Sequence, residues 1–304
     1  MQTYYSHGKL LLTAEYAVLD GAKALALPTK FGQTLTVELI NEKKLIWQSF
    51  DFKGDIWFED QFKLINGQIA TSLAPSNDVS ERLKQILNKT KQLNPEFLKS
   101  SVGYKITSIL EFPTNWGLGS SSTLLNNIAQ WAKVDAFALS NATFGGSGYD
   151  IACAKNNTAI VYNLVNAKPL VKPIVFYKAF TNQLFFVHLN RKQNSRESIK
   201  TYRDNKSNIQ NIILKINEIT AKLITVNNIE DFNILIEKHE ALIGEITKQT
   251  PIKKRLFNDF KHQIKSLGGW NGDFVLVTGN KDYVNSYFTA KGYNTIISFK
   301  DMIL

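Results

Sequence analysis

Pro113-Thr114-Asn115-Trp116-Gly117-Leu118-Gly119-Ser120-Ser121-Ser122-Thr123-Leu124-Leu125-Asn126-Asn127-Ile128 is the stretch on which the reading of this chain turns. Residues 102–112 read as a strand ending at Pro113, and the residues after Ser122 read as a helix through about Trp131. Between them, two glycines allow a tight turn and a close approach to a ligand. The serines suit a helix cap and offer hydroxyl oxygens to a metal. Free amide groups and the positive end of the helix favour an anion, phosphate above all. A serine-rich cap with no ligand fits the same residues equally well. The pattern is not Gly-x-x-x-x-Gly-Lys-Ser/Thr, since no lysine follows the last glycine. Nor is it the Gly-x-Gly-x-x-Gly of a dinucleotide fold. A phosphate held here needs its cationic and acidic partners from elsewhere in the chain.

Two segments offer them. Upstream stands His7-Gly8-Lys9-Leu10-Leu11-Leu12-Thr13-Ala14-Glu15-Tyr16, in which Lys9 follows a glycine and precedes an apolar strand. An ammonium so placed can face a cleft, although an exposed lysine at a strand start is the commoner case. Downstream stands Gly145-Gly146-Ser147-Gly148-Tyr149-Asp150-Ile151-Ala152-Cys153. Asp150 among small residues is accessible to a substrate hydroxyl; an aspartate that merely forms a turn is the alternative.

Composition bounds what else the chain can be. Its 304 residues are 44% hydrophobic and 20% charged, the balance of an ordinary globular protein of one large domain or two packed lobes. No run of apolar residues is long enough to span a membrane, and the N-terminus lacks the order of a secretory signal. The single cysteine, Cys153, rules out an internal disulfide and suits a reducing cytoplasm. A net charge of +10 admits nucleic acid or phosphorylated substrates, but the basic residues are scattered, and Lys253-Lys254-Arg255 is the longest local run. A solvated basic surface is the commoner reading of such a balance, and an electropositive cleft for nucleotide and anionic substrate is the alternative. Residues 1–60 read mostly as strands, 79–93 as a helix, and Pro169 and Pro173 as a lobe boundary. Apolar stripes at Ile209–Leu223 and Phe232–Ile246 predict two long helices, with His239 packed on the second. Strands return at 273–278 and about 294–298. The order predicts an α+β fold with two layers per lobe.

Taken together, the three segments resemble the GHMP kinase superfamily, which includes galactokinase, homoserine kinase, mevalonate kinase and phosphomevalonate kinase. Its first motif is similar to His7-Gly8-Lys9, Ala14-Glu15-Tyr16, Gly21 and Ala24-Leu25-Ala26-Leu27-Pro28. Its second, Pro-x-x-x-Gly-Leu-Gly-Ser-Ser, matches Pro113 and Gly117 to Ser121 without a gap. Gly146-Ser147-Gly148-Tyr149-Asp150 resembles the Ser-Gly-x-Asp segment of the mevalonate branch. The third motif, a glycine run, is less well matched. Here Gly268-Gly269-Trp270-Asn271-Gly272-Asp273 places Trp270 and Asn271 where small glycines stand in the family. A bulky side chain there must point away from the phosphates, or the loop is reshaped. Asn194-Ser195-Arg196-Glu197-Ser198 resembles a stretch lining the substrate pocket of mevalonate kinases.

The resemblance implies a two-lobed GHMP kinase fold. Its N-terminal lobe, 1–168, would be of the ribosomal protein S5 domain 2-like type and bind nucleotide. Its C-terminal α/β sandwich lobe, 169–304, would help form the substrate pocket. It implies ATP and Mg²⁺ as cofactors and a cytoplasmic monomer or homodimer that binds a small-molecule substrate, with no nucleic acid or membrane partner. The acceptor would be mevalonate or phosphomevalonate; a sugar, an amino acid, or a non-catalytic binding role are the alternatives. By resemblance Asp150 is the base and Lys9 its cationic partner. Gly117, Leu118, Gly119, Ser120, Ser121 and Ser122 cradle the phosphates. Ser121 ligates the metal, and Arg196, Ser198 and Glu15 meet the substrate. Mevalonate kinases add a metal-binding glutamate ahead of the aspartate segment. Ala136-Phe137-Ala138-Leu139-Ser140 holds no carboxylate there, and the nearest, Asp135, has the look of a helix N-cap.

Overall fold

The computed structural model describes residues 1–65, 68–71, 78–99, 102–191, 195–204, 209–270 and 272–304. The chain opens with β1 (Gln2–Leu11), β2 (Ala24–Ile40), β3 (Leu45–Phe50), β4 (Ile56–Ile65) and β5 (Gln68–Thr71). Then come α1 (Asp78–Leu93), β6 (Gly103–Leu110), α2 (Ser120–Ala132), α3 (Ala136–Thr143) and α4 (Tyr149–Lys155). Three strands follow: β7 (Ile160–Val165), β8 (Lys168–Pro173) and β9 (Leu184–His188). Next are the helices α5 (Ser195–Asp204), α6 (Ile209–Thr225), α7 (Ile229–Thr247) and α8 (Ile252–Leu256). The chain closes with β10 (Ile264–Ser266), β11 (Phe274–Thr278), α9 (Lys281–Ala290), β12 (Ile296–Ser298) and α10 (Phe299–Met302).

These elements form two compact units, neither continuous in sequence. Unit one is Met1–Gly8, Phe31–Thr114 and Gly119–Lys155; unit two is Lys9–Lys30, Asn115–Leu118 and Asn156–Leu304. Strand length accounts for this interleaving. At roughly 3.3 Å per residue, β1 and β2 extend about 33 and 56 Å. Each therefore contributes one end to each unit. Pro169 and Pro173 both lie in β8, which among the described residues pairs with β7 alone. An edge strand tolerates proline because its missing N–H faces no partner.

In unit one the strand order is β5-β4-β3-β6-β2, antiparallel throughout except for the β3–β6 pair. Leu35 and Val37 on β2, Trp47 on β3 and Phe58 and Phe62 on β4 point into one core. Leu83, Ile86 and Leu87 of α1 and Leu125, Ile128 and Ala129 of α2 cover that face. The period-two and period-3.6 patterns therefore bury against each other, at about 1.5–3 kcal/mol for each large side chain.

A buried polar ladder fixes α2 on the sheet. Thr123 Oγ1 donates to Gln33 Oε1 at 2.6 Å, and Gln33 Nε2 donates to Ser108 Oγ at 2.7 Å. Ser6 Oγ donates to Asn127 Oδ1 at 2.6 Å, and Asn127 Nδ2 donates to the Gln33 carbonyl at 2.8 Å. Left unpaired in this core, each of these groups would cost about 1–3 kcal/mol. The ladder therefore selects one register of the helix.

In unit two the first residues of β2 pair with β7, and β7 with β8. A second, wholly antiparallel sheet runs β10-β11-β9-β12. Helices α6 and α7 pack together, burying Ile212, Ile216, Leu223, Phe232, Ile236 and Ile243 as their stripes require. Mostly antiparallel sheets covered by helices give an α+β architecture.

Candidate active site

In unit one the second-motif loop ends in a turn that only glycine adopts easily. Gly119 is the N-cap of α2, with φ 87° in the left-handed region, and no side chain caps the helix. The serines are therefore not the cap. Ser120, Ser121 and Ser122 occupy the first turn, and the N–H of Ser122 bonds the Gly119 carbonyl at 3.0 Å. A helix start of this kind keeps N–H groups and the positive end of the dipole available to an anion. Ser122 Oγ donates to the Asp150 carboxylate in a short hydrogen bond, which ties the first turn of α2 to the first turn of α4. Asp150 is half-buried, and its other oxygen accepts from the Ile151 N–H at 3.0 Å.

Ser120 and Ser121 also line a cavity of about 580 Å³ in unit one. Its walls include Trp47, Trp57, Phe58 and Phe144, and the Arg82 guanidinium lies 5.3 Å from the Phe144 ring centre. None of these aromatics belongs to a motif. The signal for them was the alternation Leu45, Trp47, Ser49 on β3, which shows burial on one face but no ligand.

In unit two the other half of the loop is held from two sides. The Lys9 N–H bonds the Leu118 carbonyl at 2.9 Å, and Lys9 Nζ donates to the Gly117 carbonyl at 2.7 Å. Gly117 has φ 67°, and a Cβ built on it would collide with the Asp273 carboxylate. Asp273 is itself in the left-handed region at φ 52°, with its N–H on the Arg191 carbonyl at 2.7 Å.

Trp270, expected to point away from the phosphates or reshape its loop, has its side chain in the core, while Asn271 lies outside the described residues. The Trp270 N–H donates to the Tyr16 hydroxyl at 2.9 Å, and the indole ring lies toward Gly244 of α7. Glu15, expected at the substrate, is 1% exposed and ion-paired with Lys265 of β10. Arg196 and Ser198 fall on α5, but their side chains lie outside the described residues. Asp135 is the N-cap of α3 and accepts from the Ala138 N–H at 2.8 Å. No group of three or more His, Cys, Asp or Glu side chains is placed to hold a metal among the described residues.

Around Glu15 lies a buried charge cluster. Glu240 Oε1 is 3.6 Å from Lys265 Nζ and accepts from the Ser266 N–H at 3.1 Å. His239 Nε2 accepts from the Ala14 N–H at 2.9 Å, so this nitrogen carries no proton. Burial raises the Glu15 carboxyl, opposed by the Lys265 ammonium. Burial pushes Glu240 up to about 8, with Lys265 opposing and Glu15 adding to the rise. Burial, then Lys265, holds His239 well below its ordinary range. One ammonium between two carboxyls leaves Glu240 as the group that keeps a proton.

Two expected outcomes follow from this geometry. Gly117→Ala places a β-carbon in a left-handed position against Asp273, and is expected to lower thermal stability by about 1–2 kcal/mol; an unchanged melting temperature would contradict the packing. For Glu240 the sign runs from proton binding. Its folded-state value of about 8 stands above the ordinary 4.5, so its contribution is complete below 4.5 and lost as pH rises through 8. His239 contributes nothing further once pH exceeds its ordinary 6.5. Melting temperature is therefore expected to fall from about pH 6.5 to 8.5, and Glu240→Gln to flatten that slope. Equal slopes in the two proteins would contradict it.

No protein-family model matches this chain, and no curated protein matches it. Solved structures do. The mevalonate kinase of Methanococcus jannaschii aligns over 97% of this chain and 96% of its own, with 17% identity and a TM-score of 0.71. The galactokinase of Lactococcus lactis, complexed with galactose, aligns over 98% and 92%, with 15% identity and a TM-score of 0.70. The phosphomevalonate kinase of Streptococcus pneumoniae, complexed with phosphomevalonate and AMPPNP, aligns over 98% of both chains, with 14% identity and a TM-score of 0.70. Nearly full coverage in both directions extends the likeness to both units. The chain has the GHMP kinase fold.

Proposed function

We propose that this protein is an ATP-dependent kinase that phosphorylates a small-molecule hydroxyl or phosphate, with mevalonate or phosphomevalonate as the acceptor. The observation that carries the reading is in unit one. The uncapped N-terminus of α2 opens beside an aromatic cavity, and Asp150 is bonded to its first turn. A cavity of about 580 Å³ lies within the size range of small-ligand sites, and its indole and phenyl faces suit a purine base. The amides of residues 117–122 would meet the phosphates.

In-line phosphoryl transfer asks the protein for positioning and charge neutralisation more than for covalent chemistry. Asp150 accepts the proton of the acceptor hydroxyl as that oxygen attacks the terminal phosphorus and ADP leaves. The Ser122 hydroxyl, donating to Asp150, holds that carboxylate at the first turn of α2. Lys9, aimed at the Gly117 carbonyl, brings a positive charge to the phosphate loop. The exposed Ser121 hydroxyl would help hold a Mg²⁺ brought by the nucleotide, which would supply neutralisation of phosphate charge. With no cluster of three carboxylate, imidazole or thiolate ligands among the described residues, a dedicated protein cage for it is not expected.

Mevalonate kinase and phosphomevalonate kinase structures among the similar folds favour an acceptor of that class, as does the Ser147-Gly148-Tyr149-Asp150 segment. The test is ATP consumption on a panel of mevalonate, phosphomevalonate, homoserine and galactose. Turnover is expected with one of the first two, and Asp150→Ala is expected to lower it at least about a hundredfold while leaving ATP binding intact. Turnover with homoserine or galactose alone would replace the acceptor. ATP binding without turnover on any acceptor would replace catalysis by a binding role. Activity that survives Asp150→Ala would remove the base.

A further inference from the structure

Four ionisable side chains of unit two lie together with no exposure to water beyond a few per cent: Glu15, His239, Glu240 and Lys265. None of them takes part in the chemistry derived above. Burying such groups is expensive, and well-packed apolar residues would commonly serve stability as well or better. What the cluster does have is geometry. Glu15 lies between two residues in the left-handed region, Ala14 at φ 67° and Tyr16 at φ 61°. That backbone persists only if its surroundings hold it.

The holding contacts come from three elements. His239 of α7 takes the Ala14 N–H. Lys265 of β10 takes the Glu15 carboxylate and also donates to the Ser266 carbonyl at 2.9 Å. Glu240 of α7 accepts from both the N–H and the hydroxyl of Ser266, at 3.1 and 3.2 Å. Tyr16 accepts from the Trp270 N–H at 2.9 Å. The segment that follows Lys9 is thereby fastened to the segment that precedes Asp273. Those are the two residues that hold Gly117, one through its carbonyl and one against its α-carbon.

We propose that the Glu15–Lys265–Glu240 cluster, with His239 on the Ala14 amide, is a positioning device that sets Lys9 and Asp273 on either side of Gly117. Its members touch no substrate. They act through the turn at residues 14–16 and the strand at 264–266, and their effect on turnover rests on the phosphoryl-transfer reading. The assignment also accounts for Trp270. Its indole is buried near Gly244, and its backbone N–H on Tyr16 ties it to the turn at residues 14–16.

The test is hydrogen exchange on the full chain, read at the Lys9 amide, which bonds the Leu118 carbonyl. Glu15→Gln combined with Lys265→Met removes both members of the pair and leaves neither charge stranded. In this variant the Lys9 amide is expected to exchange at least about tenfold faster, while the β9–β11 amides keep their wild-type protection. Turnover is expected to fall at least about tenfold through kcat, with KM for ATP little changed. His239→Leu, which removes only the acceptor for the Ala14 N–H, is expected to move Lys9 the same way and serves if the double variant does not fold. A folded variant whose Lys9 amide exchanges at the wild-type rate overturns the proposal. Wild-type protein that turns over no acceptor, with Lys9 still responding to these substitutions, defeats the kinase reading and leaves the positioning device standing.

Discussion

Left-handed backbone at Gly117 and Gly119 is the constraint on which the candidate site depends. At φ 67° and 87° these residues stand just before the first turn of α2, in backbone that glycine adopts without strain. Any β-carbon at Gly117 would meet the Asp273 carboxylate. The turn leaves the Gly117 and Leu118 carbonyls facing Lys9, and the helix N-terminus uncapped. A serine cap would have satisfied the first amides internally. A glycine cap leaves them for an anion and releases the Ser122 hydroxyl to hold Asp150.

Strained backbone stands elsewhere as well. Ala14 and Tyr16, both in the left-handed region, each cost about 1–3 kcal/mol relative to ordinary backbone. Buried hydrogen bonds and one ion pair offset that cost in unit two. In unit one the corresponding rigidity comes from neutral groups, the Gln33, Thr123, Ser108, Asn127 ladder beneath α2. Neutral and charged networks answer pH differently. Exposing unit two to alkaline pH acts on Glu240, whereas the ladder of unit one has nothing to titrate.

Much of this was legible from local pattern. The stripes at Ile209–Leu223 and Phe232–Ile246 appear as α6 and α7 because 3.6-residue periodicity needs only neighbours in sequence. The loop at 117–122 was legible because glycine pairs flanked by a strand and a helix have few conformations. What escaped depends on distant partners. The pairing of Glu15 with Lys265, 250 positions away, is not visible in any local pattern. Trp270 looked intrusive in a glycine loop because sequence does not show that its ring is buried and its backbone N–H bonds Tyr16, 254 positions away. The interleaving of the units was hidden for the same reason, since a long strand shows its length but not where one core ends. Trp47, Trp57 and Phe144 gave no functional signal, because an aromatic on a strand or helix reads as core until a cavity is found beside it.

The central claim is that the uncapped start of α2 receives the phosphates of a nucleotide whose base rests on the aromatic cavity. A crystal structure with a non-hydrolysable ATP analogue tests it most directly. The account expects phosphate oxygens within hydrogen-bond distance of the amides of residues 117–122, and the base against Trp47, Trp57 or Phe144. Nucleotide bound elsewhere, with the 117–122 amides facing only solvent, would contradict it.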